Sequence, residues 1–276
     1  MLLDILNSPL YCDDSPYQVH AQLLDKKCYL GSVSTMYRIL KIHGLSTYRG
    51  RAKKAEIRTA RIETVATCPN QVWCWDITNL PIMNSRGHLK MYLFQDLYSR
   101  KIVGQTISEQ EDEVTASQLF DRCLKSETIT GQGLRIHSDN GNPMRGWSFV
   151  DKLKNLGVIP SRSRSHVSND NAFVESLFKT MKYRSNYPFR PFRSIAEATS
   201  WTKKFVTWYN SEHLHSGISY VTPLQRHNGQ EMNVIKTRNQ TLTMAYEKNP
   251  ERWASQPRQW RVSPAVELNS RGCRAV

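Results

Sequence analysis

The sequence predicts an α/β fold, a mixed five-stranded sheet flanked by helices and preceded by a small helical module. Two patterns carry that expectation. Short β-prone apolar runs fall at 72–77, 91–94, 102–107, 134–138 and 158–160, and segments of helical period at 113–125, 147–156 and 168–182 interleave with the last three strands. Strands spaced by helices in this way form a sheet with helices on its faces. The third observation is chemical. Asp76 stands inside the first, otherwise apolar strand, and Asp139 ends the fourth, at the strand ends where α/β sites usually lie.

A chain of 276 residues suffices for one sizeable core and a smaller module. No apolar run approaches the roughly 20 residues that span a bilayer. Met1-Leu2-Leu3-Asp4 lacks the basic start of a secretory signal, so a cytoplasmic location without a membrane partner is expected. The net charge of +14 points to a polyanion. Nucleic acid is favoured over anionic lipid, because no basic amphipathic helix with a large apolar face is present. Cys12, Cys28, Cys68, Cys74, Cys123 and Cys273 form no Cys-x-x-Cys and read as free thiols rather than a zinc site.

Residues 1–48 read as a helical module resembling a helix-turn-helix unit. Ser15-Pro16-Tyr17-Gln18 has the form of a helix start: Ser as N-cap, Pro at the first helical position, and Gln three residues after the cap. Ser32 caps a second helix that stops at Gly44 and would expose Arg38 and Lys41 to DNA. A hairpin that merely packs on the main domain is the alternative. Residues 49–68 read as a basic linker: over 48–61, Arg49, Arg51, Lys53, Lys54, Arg58 and Arg61 face only Glu56, which suits phosphate tracking.

The main domain is expected over 69–225. Trp73 and Trp75 fall on the opposite strand face from Asp76 and read as core. Asp96-Leu97-Tyr98-Ser99-Arg100 reads as a turn, with Asp96 stabilising it, and His137 as a packing or sheet-bonding residue. The late helix places Glu175, Lys179 and Lys182 at i, i+4 and i+7 on one face. Such a face suits a solvated ion-pair surface, or one acid at a metal and two cations along a phosphate backbone. Residues 226–276 carry scattered Arg and Lys with no sustained period. They read as a basic extension, to which 253–266 adds strands or nothing ordered.

In a ribonuclease-H-like sheet the first and fourth strands are neighbours, so Asp76 and Asp139 would converge and the late helix would bring Glu175 to them. Three clustered carboxylates repel unless a divalent cation neutralises them, and oxygen-only ligation favours Mg²⁺ or Mn²⁺. Two such ions can clamp the attacking and leaving oxygens of an in-line phosphoryl transfer.

At these residues the sequence resembles a known family. Trp75-Asp76-Ile77-Thr78, the 96–100 turn, His137-Ser138-Asp139-Asn140-Gly141, Asn171-Ala172-Phe173-Val174-Glu175-Ser176, Trp208-Tyr209-Asn210, His213, His215-Ser216-Gly217 and Thr222-Pro223 look like the signature blocks of the DDE transposases. The match is to the second-frame (OrfB) product of bacterial insertion sequences, related to retroviral integrases. The 35 residues between Asp139 and Glu175 (140–174), and a basic residue seven places after the glutamate, are features of that family.

The resemblance implies that Asp76, Asp139 and Glu175 are catalytic and hold two Mg²⁺ or Mn²⁺ ions. Lys182 and Lys179 would contact phosphate. It further implies metal-dependent cleavage and strand transfer of double-stranded DNA, with terminal inverted repeats and target DNA as partners. A homo-oligomer of at least two chains would join two ends, with a first-frame (OrfA) product or fusion as a further partner. A catalytically silent DNA-binding protein derived from a transposase, or a nuclease on the same fold, are the other readings.

Overall fold

The computed structural model describes residues 2–12, 14–43, 45, 64–83, 87–139, 147–163 and 171–268, and only the backbone of Trp147. In chain order the described strands are β1 (Thr64–Ala66), β2 (Val72–Pro81), β3 (His88–Asp96), β4 (Ile102–Ser108), β5 (Arg135–Ser138), β6 (Ile159–Arg162) and β7 (Val266–Leu268). The helices are α1 (Leu2–Leu6), α2 (Pro16–Asp25), α3 (Val33–Ile42), α4 (Glu113–Glu127), α5 (Trp147–Asn155), α6 (Ala172–Lys182), α7 (Ile195–Ser211), α8 (Pro223–His227) and α9 (Glu231–Lys248). They fall into two compact units. One comprises Met1–Ala60, Leu214–Val221 and Asn228–Ser263, and the other Arg61–His213, Thr222–His227 and Pro264–Val276.

In the larger unit five strands form one sheet in the order β4-β3-β2-β5-β6. β2 and β3, like β3 and β4, are antiparallel, whereas β2–β5 and β5–β6 are parallel. This is the expected mixed, ribonuclease-H-like sheet, with the first and fourth core strands side by side. Side chains alternate across a strand. Trp73 and Trp75 therefore share one face with Phe94 and pack on Phe120 and Phe149, from α4 and α5. Both tryptophans are core, as expected. The opposite face carries Cys74, Met91 and Leu93 against Val174, Leu177 and Met181 of α6 and Phe205 and Tyr209 of α7. Asp76 lies on the face that α6 covers.

Two further strands lie outside the five-stranded sheet, the second beginning at Val266, the end of the stretch in which the sequence admits strands. Thr64–Ala66, at the end of the stretch read as linker, pairs antiparallel with Val266–Leu268. Three-residue strands about 200 positions apart leave too short a pattern to read.

In the smaller unit both expected N-terminal helices form with their caps. Gln18 N donates to Ser15 Oγ at 3.4 Å and Ser15 N to Gln18 Oε1 at 2.9 Å, closing the capping box. Thr35 N donates to Ser32 Oγ at 3.2 Å. The stretch after 223, read as having no sustained period, instead contains the 18-residue helix α9. That helix buries Arg238 and Thr241 alongside Ile235 and Leu242, so its inner stripe is not apolar. Arg238 is fully buried. Its Nε donates to Asp25 Oδ1 at 2.7 Å and its Nη2 to Asp25 Oδ2 at 2.9 Å, while Nη1 reaches Ser219 O at 2.9 Å. A bidentate ion pair thus stands where leucines would make a legible pattern.

Removing one partner of such a pair leaves the other charge uncompensated. Arg238→Ala is expected to destabilise this unit by about 3 kcal/mol in urea unfolding, and Arg238→Met by clearly less.

Candidate active site

β2 and β5 run parallel with Cys74 opposite His137. Continuing that register by two residues sets Asp139 beside Asp76, on the face covered by α6. Asp76 is half-buried, and its Oδ1 accepts a 2.7 Å hydrogen bond from Ile77 N. Burial pushes its carboxyl up to about 7 against the opposing pull of the Ile77 bond, and the like charges of Asp139, Glu175 and Glu111 raise it further.

Glu175 lies in the first turn of α6 and is exposed. Loss of hydration raises its pKa, and the charge of Asp139 adds to the rise. All three acids singled out in the sequence are therefore within one another's fields. Among the described residues no group of three His, Cys, Asp or Glu is drawn in as a finished metal cage.

One side chain couples the glutamate's helix to the aspartate's strand. Asn171, buried immediately before α6, donates from Nδ2 to the backbone carbonyl of Trp75 at 3.2 Å. It makes no capping bond to its own helix. The sequence places it inside the helical segment read over 168–182, and only the fold reveals a partner 96 residues away.

Loss of hydration lowers the pKa of Lys182, and the charge of Asp76 partly restores it, so this lysine shares the field of the acids. Lys179 Nζ lies 6.0 Å from the Tyr183 ring centroid. Arg38 and Lys41 are exposed on α3. Arg51, Lys53 and Lys54 lie outside the described residues, as do Asn140 and Gly141.

Asp96 is a turn acid, as expected, and fully buried. Its Oδ1 accepts from Ser99 N at 2.7 Å and Ser99 Oγ at 2.6 Å, and its Oδ2 from Asn70 N at 2.8 Å. Ser99 Oγ also lies 2.9 Å from His227 Nδ1, and His227 Nε2 lies 2.7 Å from Glu127 Oε2. Burial would raise the pKa of Glu127, but hydrogen bonds from His227 and Lys101 hold it down at about 2. This serine–histidine–carboxylate row is structural, because Ser99 has no exposure at all. No motif in the sequence links its members, which are up to 128 residues apart.

His137 Nδ1 lies 3.0 Å from Ser161 Oγ on the neighbouring strand, in keeping with sheet bonding. Burial lowers the pKa of His213, stacked on Tyr209, to about 4 and keeps the ring neutral near pH 7.

An integrase core domain model matches residues 66–168, and a second integrase core domain model matches residues 156–223. The transposase for insertion sequence element IS904 of Lactococcus lactis subsp. lactis (strain IL1403) is 34% identical over 160 residues, covering 57% of this chain and 61% of that protein. The putative transposase InsK for insertion sequence element IS150 of Escherichia coli (strain K12) is 25% identical over 189 residues, 68% of this chain and 65% of that protein. The match thus spans less than two thirds of either relative's length. Among solved structures, the HTLV-2 integrase catalytic core domain in complex with magnesium (dimeric form) aligns with 18% identity and a TM-score of 0.42, covering 58% of this chain and 97% of that one.

The raised pKa of Asp76 sets a pH dependence of stability. The folded state holds this proton up to about pH 7, whereas the ordinary value is 3.8. Folded protein therefore binds more protons between those values, and the group's contribution to stability falls as pH rises from about 4 to 7. Asp76→Asn is expected to stabilise the metal-free protein at pH 8 by on the order of 2–4 kcal/mol, with little difference at pH 4. Urea unfolding in EDTA at the two pH values measures it.

Proposed function

The chain belongs to the DDE transposases of insertion sequences by its integrase core, and on that premise we propose that it cuts and joins double-stranded DNA at the ends of such an element. The observation that carries this reading is the convergence of Asp76, Asp139 and Glu175, set by the parallel β2–β5 register and by α6. Their donors are all carboxylate oxygens, which suits hard divalent cations, and the carboxyls of Asp76 and Glu175 are raised by burial first and by neighbouring acids second. In kind, they fit a pair of Mg²⁺ or Mn²⁺ ions.

Such ions, when bound, would offset the charge gathering on the attacking and leaving oxygens of a phosphodiester. The side chains do the rest by position. Asp76 lies on β2 and Asp139 directly after the adjacent β5, Asn171 holds the helix of Glu175 against β2, and Lys182 lies within the field of Asp76. In cleavage, a water oxygen bonds to phosphorus as the bond to the 3′-oxygen breaks, and that oxygen leaves as a hydroxyl. In joining, the 3′-hydroxyl attacks a target phosphodiester, one P–O bond replaces another, and no external energy source is required.

Lys182 and Lys179 would lie along the DNA backbone. Arg38 and Lys41, with Arg51, Lys53 and Lys54, would extend that contact from the helical module of residues 1–48 and the basic stretch after it, outside a catalytic core over 69–225. Terminal inverted repeats and target DNA are the proposed substrates. Bringing two ends together implies at least two copies of the chain, and a first-frame product is a further proposed partner.

Asp76→Asn and Glu175→Gln are expected to drop Mg²⁺-dependent cleavage and joining of element-end duplex below detection while duplex binding persists. Undiminished joining by either variant would overturn the catalytic assignment, and absence of joining by the parent protein would favour a silent DNA-binding role. Lys182→Ala is expected to weaken binding to every duplex alike and to reduce the salt slope by about one, as loss of a phosphate contact does. A loss confined to one base position would contradict that contact.

A further inference from the structure

Arg100 ends the 96–100 turn, far in sequence from the three acids, and three features set it apart. Its backbone is left-handed, with φ of +67°, a region that favours glycine and strains a long side chain. Its side chain is buried at 3% exposure, and burial lowers its pKa only to about 10, so it stays cationic at neutral pH. Its Nε and Nη1 make no hydrogen bond. A glycine here would relieve the backbone and remove a buried charge with unmet donors, so turn geometry alone does not account for arginine.

The guanidinium rests on an aromatic face. Arg100 Cζ lies 3.6 Å from the centroid of the Phe173 ring, and Phe173 sits in the first turn of α6, two residues before Glu175. Desolvated contacts of this kind are among the stronger cation–π interactions. The turn that carries Arg100 is itself fixed. Gln95 Nε2 donates to Arg100 O at 3.0 Å and to Tyr209 Oη at 3.2 Å, Arg100 N donates to Asp96 O at 2.9 Å, and Asp96 is held by Ser99 and Asn70. A rigid, buried platform thus ends on the ring adjoining the third acid. Asn171 secures the same turn of α6 to the carbonyl of Trp75.

We propose that Arg100 is a positioning residue for Glu175: seated on Phe173, it fixes the first turn of α6 and so sets where the Glu175 carboxylate stands relative to Asp76 and Asp139. The strained arginine, with two unmet donors, is retained because the cation–ring contact reaches α6 from the turn, which glycine cannot do. The contact acts through the helix and touches no substrate. The proposal rests on the catalytic reading of the three acids, and its test is separable from that reading.

Two variants of the full chain carry the test. Phe173→Leu removes the ring face and keeps most of the volume, and Arg100→Gly suits the left-handed backbone. Amide hydrogen exchange in EDTA reads the helix without metal or activity. In both variants the first-turn amides of α6 are expected to exchange about 10-fold faster while those of α7 are unchanged, and the thermal midpoint of Arg100→Gly should be equal to or above that of the parent.

With Mg²⁺ and element-end duplex, the joining rate is expected to fall about 10- to 100-fold at unchanged DNA Kd, with the double variant no slower than the slower single one. Unaltered α6 exchange in Phe173→Leu would overturn the proposal, as would activity losses in Arg100→Gly that merely track a lowered thermal midpoint. Should Arg100→Gly fail to fold, the Phe173→Leu exchange result decides alone. If Asp76→Asn retained joining, the catalytic reading would fail while the exchange measurement still judged the coupling of Arg100 to α6.

Discussion

Asp76 stands directly after four buried strand residues, Val72 through Trp75, so its carboxyl is partly stripped of water before any other acid is considered. Burial is the largest reason its carboxyl titrates near 7. Bringing Asp139 and Glu175 toward it adds repulsion, which the acids themselves cannot supply the means to oppose. The opposing force has to come from apolar packing and backbone pairing elsewhere. β2–β5 pairing sets the two aspartates, the Val174, Leu177, Phe178 and Met181 stripe seats α6 on the sheet, and Asn171 ties its start to Trp75. The electrostatic strain of the site is thus carried by contacts that touch none of its carboxylates.

The polar cluster behind the sheet follows the same logic on a larger scale. Asp96, Ser99, Arg100, Glu127 and His227 remove several polar groups from water, which stabilises a fold only if each finds a partner. Most do: Asp96 accepts three hydrogen bonds, and His227 bridges Ser99 to Glu127. An apolar cluster of equal volume would be no less stable, but it would define the turn less narrowly. Arg100 is the exception within this cluster, and its unmet donors mark where local stability gives way to placement of α6.

What the sequence made legible divides along physical lines. Asp76, Asp139 and Glu175 stood out because one acid interrupted an otherwise apolar strand, a second ended a strand, the helical period aligned Glu175 with Lys182, and all three fell in blocks that resemble a known family. The caps at Ser15 and Ser32 were readable because their partners lie three residues away. Helix α9 was not, since Arg238 and Thr241 occupy its buried stripe and blur the apolar period. Nor were the partnerships of Asn171 with Trp75 or of His227 with Glu127, which span 96 and 100 residues and leave no local pattern. Local and periodic constraints could be read from the sequence, whereas long-range polar pairs could not.

Charge at the site runs against charge in the chain. The protein carries a net +14, yet the cleft gathers Asp76, Asp139, Glu175 and, within the field of Asp76, Glu111. A polyanion drawn in by the whole molecule would meet local repulsion at the point of reaction. Lys182 moderates this, because it loses hydration there yet the charge of Asp76 favours its ammonium form. On the proposed function a DNA phosphate would compete with Asp76 for that ammonium, and the carboxylates would hold divalent cations. On that reading Lys182 ties the basic character of the chain to its acidic centre.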